Sequence, residues 1–400
     1  MAADMSVYFA VAKDVWTQDK LEELLVQDAP TLDALERTRR FTIGKQAIVP
    51  LRLGRNGGYT ALADNESVLN PAGNQRLGQA TYGFKNHFVQ IKVLHSAIAG
   101  TGTDAQSVVN AVDTEVQGAV NDLKHQLERQ IFGPGDGTIA GVASGTGNDL
   151  TLDSAHALDM GYIEVGSQID VGTMGNPVSA AAGRTVTAVD KATSTITVSG
   201  AAVTLAGSEF VSWRGTRLGG VNREMTSLRQ IVSDDQVVGG IDPANEPAWT
   251  GSLVDDTTAN LTLESIYSLR TATVKRTGKA PDMLVMGPRR YQELYQLIQP
   301  QVRYTGEGNL GTGDISKVKF AGYTILEDPK APENSVFALT RDSLFLVATD
   351  KPQWPNAVVG GSSPLAWIPG EAAYGGMLEY HVNLATNNRA ANSAYVGLTV

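Results

Sequence analysis

Hydrophobic residues in Thr103–Phe132 recur at steps of three and four, the spacing of one face of an α-helix. The pattern predicts a single helix in which Thr103 caps the first turn and Gln106 reaches back to it. Gly133 and Pro134 would end the helix. At about 1.5 Å per residue it would be roughly 45 Å long, a spine along which other elements lie. Its apolar stripe consists of Val109, Val112, Val116, Val120, Leu123, Leu127 and Ile131.

Two stretches upstream, Ile43–Leu53 and Tyr82–Val93, have the composition and alternation of β-strands. Residues 51–81 between them are polar and rich in Gly and Asn. So long a loop without secondary structure is implausible in a compact domain, so we expect a two-stranded ribbon that projects from the body. An isolated ribbon is marginally stable in water and needs a surface to lie on, such as a neighbouring subunit.

Beyond the predicted helix, residues 150–215 form an island rich in Val, Thr, Ser, Ala and Gly. Arg184–Gly200 has the pattern of a β-hairpin, and Gln168–Val171 and Phe210–Trp213 predict further short strands. We interpret the island as a small barrel inserted between larger elements. The Gly- and Ser-rich residues 133–149 predict a flexible connection to it.

The C-terminal half has a mixed pattern, and the first forty residues predict an arm with too few apolar residues to bury itself. Helices are predicted at Leu263–Arg276, with Ile266, Tyr267, Leu269 and Val274 near its buried side, and at Pro288–Ile298. Strands are predicted at Leu228–Val232, Pro281–Met286, Val318–Leu326, Val336–Leu339, Leu344–Val347, Leu378–Leu384 and Ala394–Val400.

Composition narrows the class of protein. The chain has 400 residues, 42% hydrophobic and 18% charged, which is typical of a folded protein with two or three domains. It has no cysteine, so disulfides, thiol catalysis and Cys-ligated metals are excluded. A net charge of −10 argues against a dedicated nucleic-acid reader, which would carry a basic face. We also expect no secretory signal and no membrane span.

The sequence predicts no catalytic, cofactor-binding or metal-ligating residues, and therefore not an enzyme. The five histidines show no metal-ligand spacing, and no G-x-S-x-G elbow is present. Gly100–Thr103 precedes a helix but lacks the Lys-Ser/Thr of a phosphate-binding loop. The acidic pairs at 234–235 and 255–256 are typical of solvated turns. The barrel-like island offers only Arg184 and Lys191 as cations, too few for an oligonucleotide site.

The order of these elements resembles a major capsid protein of tailed double-stranded DNA bacteriophages, whose fold is shared with encapsulins. The stretches that carry the resemblance are FKNHFVQIKVLHSAIAGT, TEVQGAVNDLKHQLERQIFGPGDG and the ending YGGMLEYHVNLATNNRAANSAYVGLTV. The resemblance implies an α+β capsid fold. Its parts would be an N-terminal arm (1–40), an extended hairpin loop (41–84), a peripheral domain with the spine helix (85–149), an inserted β-rich domain (150–215), an axial α/β domain (216–350) and peripheral C-terminal strands (351–400).

The resemblance also implies a function. Copies of the chain would assemble into hexamers and pentamers of an icosahedral shell that encloses phage DNA without reading its sequence. Partners would be other copies, a scaffolding protein, a portal and cement proteins, with no membrane; the protein would reside in the virion after assembly in the bacterial cytoplasm. The extended loop would contact a neighbouring subunit through Arg52, Arg55, Tyr59, Asn65 and Arg76.

Some relatives join neighbouring subunits through a lysine of this loop. Residues 51–81 contain no lysine, and an arginine guanidinium stays protonated, so we expect no covalent cross-link.

Two alternative functions stay open. One is an encapsulin-like compartment that stores a protein cargo, and the other is a secreted β-rich binding protein, which the missing signal and cysteines disfavour.

Overall fold

The computed structural model describes residues 29–64, 67–71, 73–101, 111–205, 207–218, 221–255, 260–298, 319–320, 322–349, 351–355 and 365–399. The predicted first turns of the spine helix with Val109, most of the predicted arm, and Asn65 of the predicted contact set lie outside these residues.

Along the described chain, helices separate runs of strands. The helices are α1 (Pro30–Ala34), α2 (His95–Thr101), α3 (Ala111–Phe132), α4 (His156–Asp159), α5 (Leu228–Val232), α6 (Leu263–Thr277) and α7 (Pro288–Ile298). The first strands are β1 (Glu36–Thr38), β2 (Thr42–Ile43), β3 (Gln46–Gly54), β4 (Arg76–Gly83), β5 (Lys85–Leu94), β6 (Ala140–Thr146), β7 (Asp149–Leu152), β8 (Gln168–Gly172), β9 (Ala181–Asp190), β10 (Thr195–Val198) and β11 (Phe210–Trp213). The later strands are β12 (Arg217–Leu218), β13 (Val221–Asn222), β14 (Ser252–Asp255), β15 (Met283–Met286), β16 (Lys319–Phe320), β17 (Tyr323–Glu327), β18 (Ser335–Leu339), β19 (Leu344–Ala348), β20 (Ala366–Trp367), β21 (Ala373–Thr386) and β22 (Ser393–Val396).

Two sheets form the body of the molecule. In the first, the order is β1-β19-β21-β20, and β5 pairs with the opposite edge of the long strand β21. In the second, the order is β14-β22-β18-β15-β17-β16. Between them lies the main apolar core, to which α3, α5 and the base of the β3–β4 ribbon also contribute. The molecule is therefore a mixed α+β protein, as the sequence predicts.

Strand pairing crosses the segments into which the sequence analysis divides the chain. β19 belongs to the predicted segment 216–350, yet it lies in the sheet with β5 and β21. β22 belongs to the predicted segment 351–400, yet it lies between β14 and β18 in the other sheet. The strands after residue 350 thus divide between two sheets, with β20 and β21 in the first and β22 in the second.

The predicted spine helix is present as α3 over residues 111–132. Val112 and Val116 pack with Ile91 and Val93 of β5, and the stripe continues into the main core. Its members there are Val120, Leu123, Leu127 and Ile131. At its C-terminal end the helix is buried on all sides, including the polar residues 128–130. The apolar periodicity of the described part is confirmed.

The inserted barrel is also confirmed, as a closed barrel in the order β10-β7-β6-β11-β8-β9. The predicted hairpin is β9–β10, where Ile196 pairs with Val189 and a bulge then shifts Val198 opposite Val186. The flexible connection predicted at 133–149 is wrong in part, because β6 lies there and is a barrel strand. Gly, Ser and Ala suggested flexibility, but pairing with β7 and β11 orders this stretch.

Three local predictions are wrong. Leu228–Val232 is a helix, not a strand, because Ser227 and Gln230 form a capping box that fixes its first turn. The strand predicted at Val318–Leu326 is, in its described part, the antiparallel pair β16–β17. Tyr267 is predicted near the buried side of its helix, but the residue is 48% exposed.

The described end of the arm is part of the chain's own core. Leu32 and Leu35 are buried with the spine residues Leu123 and Leu127, and β1 pairs in parallel with β19. The expected arm is therefore not separate from the body over residues 29–38, because its few apolar side chains are buried against the rest of the chain. Arg37, Arg39 and Arg40, at the end of this segment and just after it, have exposed side chains.

A buried polar cluster joins four segments of the chain. The Lys330 ammonium lies 3.3 Å from the Glu128 carboxylate of α3, and both side chains are almost completely buried. Asp328 accepts hydrogen bonds from the backbone N–H and the hydroxyl of Thr31 in α1. The Tyr162 hydroxyl of the barrel segment donates to the Lys330 carbonyl. Burial and the neighbouring Asp328 carboxylate raise the pKa of Glu128 to about 8.

Arg389 ties the chain's C-terminal region to α5 and the loop that follows it. Its buried guanidinium donates to the carbonyl oxygens of Gln230, Ile231, Ser233, Gln236 and Trp249 at 2.7 to 3.0 Å. Some of these are the last carbonyls of α5, which have no partner within the helix. Burial lowers the pKa of Arg389 to about 10, so the side chain stays charged at neutral pH.

We expect Arg389→Met to lower the free energy of unfolding by about 3–5 kcal/mol, because it leaves five buried carbonyls without a donor. Denaturant unfolding followed by tryptophan fluorescence measures the loss. Arg229→Met, on the exposed side of the same helix, is the matched control and should change stability little. Equal stability of the two variants would contradict this role of Arg389.

His125 lies where α3 contacts the barrel segment, and its titration makes the stability of the protein depend on pH. Its ring lies 5.4 Å from that of Tyr162, and burial and the nearby Lys330 charge lower the pKa of His125 to about 4. The folded state therefore binds fewer protons at this site than the unfolded state between pH 6.5 and 4, so stability falls as pH falls through that window.

Relative to His125→Phe, the wild-type protein should lose about 1–2 kcal/mol between pH 6.5 and 4, after allowance for partial solvent exposure. Thermal unfolding of both proteins across this range measures the difference. The raised pKa of Glu128 acts in the opposite direction but is common to both proteins. Parallel stability curves would show that His125 does not titrate in this way.

Candidate subunit interface

The inner half of the β3–β4 ribbon is anchored in the body. Ala47, Val49, Ala80 and Tyr82 alternate along the two strands and are buried in the main core. The Tyr82 hydroxyl donates to the carbonyl of Thr386 at 3.1 Å, and burial raises the pKa of that hydroxyl. This alternation fixes the register of the ribbon, because a slip by one residue would turn all four side chains away from the core.

The outer half of the ribbon leaves the body. Pairing continues through Leu51 and Gly78 to Gly54 and Arg76, with an irregularity after Arg52. None of these outer residues is fully buried, in contrast to the inner half. The predicted projecting ribbon is thus present, and its strands end at Gly54 and Arg76.

The tip beyond the strands, residues 55–75, holds itself together through polar contacts where it is described. The Asn56 side chain accepts from the backbone N–H of Gly58 at 2.8 Å. Asn70 donates from its backbone to the Thr60 hydroxyl and from its side-chain amide to the Tyr59 carbonyl, both at 2.8 Å. The Asn-rich composition of this stretch therefore builds a folded tip in which the outgoing and returning chains lie close together.

The ribbon and its tip expose large apolar side chains. Tyr59 and Val68 are each 82% exposed, and Leu77 is 75% exposed. The full set is Tyr59, Leu62, Val68, Leu69 and Leu77. Single exposed apolar residues are normal, but five on one narrow element form an apolar surface of the kind that another molecule covers.

The predicted contact residues behave differently from one another. Arg52, Arg55 and Tyr59 are exposed on the outer ribbon and its tip. Arg76, at the outer end of β4, forms an ion pair with Glu246 of the same chain, so its charge already has a partner within the chain. Four further exposed residues of this element, Leu62, Val68, Leu69 and Leu77, are not among the predicted contacts, which were mostly polar. Their signal in the sequence is that of isolated large apolar residues within a Gly- and Asn-rich stretch.

Within the described ranges, no group of three or more His, Asp or Glu side chains could hold a metal ion. Charged side chains in the interior are used in structural contacts, as in the ion pair of Arg129 with Glu224. No helix in the described part of the chain is long and apolar enough to cross a membrane.

The architecture is similar to that of capsid proteins in solved structures. A chain in the capsid asymmetric unit of cyanophage A-1(L) matches with a TM-score of 0.53 and 12% identity, over 96% of each chain. The capsid of an empty GTA particle matches with a TM-score of 0.54 and 9% identity, over 96% of this chain and 95% of that one. The capsid of Myoviridae phage XM1 matches with a TM-score of 0.50 and 8% identity, over 96% of each chain.

No family model and no curated protein matches the sequence. At identities this low, the likeness establishes the fold alone. The chain has the fold of phage capsid proteins, and the resemblance seen in the sequence is confirmed at that level.

Proposed function

We propose that this chain is a major capsid protein that assembles through its β3–β4 ribbon into a closed icosahedral shell. The observation that carries the proposal is the set of five exposed apolar side chains on a projection with a buried base. The capsid fold of the whole chain supports the same conclusion. In this role the protein is structural, not an enzyme.

The ribbon is suited to contact a neighbouring copy because its two halves have opposite environments. The inner half is fixed by buried side chains, so the outer half is presented in a set direction. Burying one exposed Val or Leu is worth up to about 1.5–3 kcal/mol, so several together supply a substantial contact. Copies arranged in rings and then in a shell multiply such contacts until dissociation becomes slow.

The proposal extends from the ribbon contact to the whole shell and its partners. Hexamers and pentamers of the chain would form the shell, built in the bacterial cytoplasm with a scaffolding protein and carrying a portal and cement proteins. The shell would enclose double-stranded DNA without reading its sequence. The net charge of −10 is consistent with this arrangement, because a strongly cationic wall would hold phosphates too tightly.

We expect a double change of Val68→Asp and Leu69→Asp to abolish shell formation while the subunit stays folded. The charges would have to be buried at the contact, whereas in the free subunit these side chains are already exposed. Negative-stain microscopy of the purified protein measures shell yield, and circular dichroism checks the fold.

Val178→Asp is the matched control, because Val178 is an exposed apolar residue of the barrel segment and not of the ribbon. That variant should assemble with the yield of the wild-type protein. Normal shells from the double variant would rule out the ribbon as the assembly contact. The material inside wild-type shells, DNA or a protein cargo, separates a capsid from an encapsulin-like compartment.

The shell should be held together without covalent bonds between subunits, because no lysine is present between residues 51 and 81. Boiled in denaturing detergent, purified shells should run as a single band at the subunit mass of 42.4 kDa. A ladder of covalent oligomers would contradict this expectation and would call for mapping of the linked residues by mass spectrometry.

A further inference from the structure

β5 is an edge strand. It pairs along its whole length with β21, from Lys85 opposite Val382 to Leu94 opposite Ala373. On its other side no strand of the described chain pairs with it. A ten-residue strand with one unpaired side presents a row of backbone N–H and C=O groups, which is a template for a further strand.

A groove lies beside this strand. It has a volume of about 630 Å³ and is walled by β5, by α3 and by the barrel. Apolar atoms reach it from Phe88, Val89, Leu123 and Met160, and the Phe88 side chain is 52% exposed. The groove therefore offers apolar contacts beside a strand edge, among polar side chains such as those of Gln90 and Gln126. Extended peptides bind in this way, since main-chain bonds give affinity and alternate side chains fill the walls.

The sequence contains one segment well suited to this groove. Of the 28 residues that precede Ala29, those at 5–12 read MSVYFAVA and carry no charge, whereas residues 13–28 carry seven charged side chains. Val, Tyr and Phe favour strands. In an extended chain Val7, Phe9 and Val11 share one face, where they match the apolar wall, and Tyr8 lies on the other face.

The segment can reach the groove within one subunit. Ala29 is buried in the main core together with Leu123 of α3, and Leu123 also lines the groove. Residues 13–28 can span up to about 55 Å when extended, more than the length of α3. The chain before Ala29 thus starts beside the helix that forms one wall of the groove.

From these observations we propose that residues 5–12 add as a strand to the free edge of β5 in the same subunit. The added strand would close the first sheet at this edge and fill the groove between α3 and the barrel. It would also shield an edge that could otherwise pair with other chains. The proposal concerns the single subunit and does not depend on shell assembly.

Hydrogen exchange measured by mass spectrometry on unassembled, full-length subunits tests the proposal. Exchange of the amides in residues 85–94 is compared between the wild-type protein and Phe9→Pro, which removes one backbone donor and distorts the added strand. We expect exchange in this stretch to rise at least about tenfold in the variant. Asp14→Pro, outside the proposed strand, is the control and should leave exchange unchanged.

Equal exchange in all three proteins would overturn the proposal. Protection of β5 that appears only after assembly would also overturn it, because the occupant would then come from another copy. Neither result would affect the ribbon contact, which is judged by shell yield.

Disulfide trapping provides a second measurement, since the chain has no native cysteine. Gln90→Cys, at an exposed position of β5, is combined in turn with cysteine at positions 7, 8, 9 and 10. At least one pair should oxidise to an intramolecular disulfide, because directly opposed residues on paired strands have Cβ atoms about 4.5–5.5 Å apart. The pair of Gln90→Cys with Lys191→Cys, on the barrel hairpin, should not. Failure of all four pairs would count against strand addition.

Discussion

The relative placement of the arm, the spine helix, the sheets and the barrel depends on one buried polar cluster around Lys330, whose side-chain nitrogen lies 3.3 Å from the Glu128 carboxyl group. Asp328 beside it holds Thr31 of the arm, and the Lys330 carbonyl accepts from Tyr162 of the barrel segment. A buried polar or charged group is costly unless it has a partner, so loss of any one member would leave an unpaired group in the interior. The cluster therefore fixes four segments at one point, and the projecting elements take their directions from it.

The barrel is a large insertion whose two ends lie close together. Its first and last strands, β6 and β11, pair with each other, with Phe210 opposite Gly141 and Val211 opposite Ala140. The chain thus enters and leaves the barrel at adjacent positions, and the barrel has its own apolar core. An element with neighbouring ends and a separate core can be inserted without disturbing the sheets. Contacts of Tyr162 with His125 and Lys330 then orient it on the spine.

The two halves of the ribbon have opposite environments, which the proposed assembly would reconcile. Within the subunit its inner half satisfies every rule of a folded strand pair, with alternating buried side chains. Its outer half exposes apolar residues that a monomeric protein would be expected to bury. In the proposed shell, another copy would cover this surface. Under that proposal the stability of the single chain and the stability of the shell depend on different halves of one element.

Local features of the sequence determined what is local in the structure. The helix at Pro288–Ile298, the strand at Phe210–Trp213 and the stripe of α3 follow from periodicity and end signals, which neighbouring residues set by themselves. The five apolar-rich residues at Leu228–Val232 were too few for periodicity to distinguish a helix from a strand. Tertiary structure alone decided which distant strands pair, such as β1 with β19 and β5 with β21, the burial of Arg389 and the ion pair of Arg76. These contacts join residues more than a hundred positions apart, and no local pattern specifies which distant segments meet.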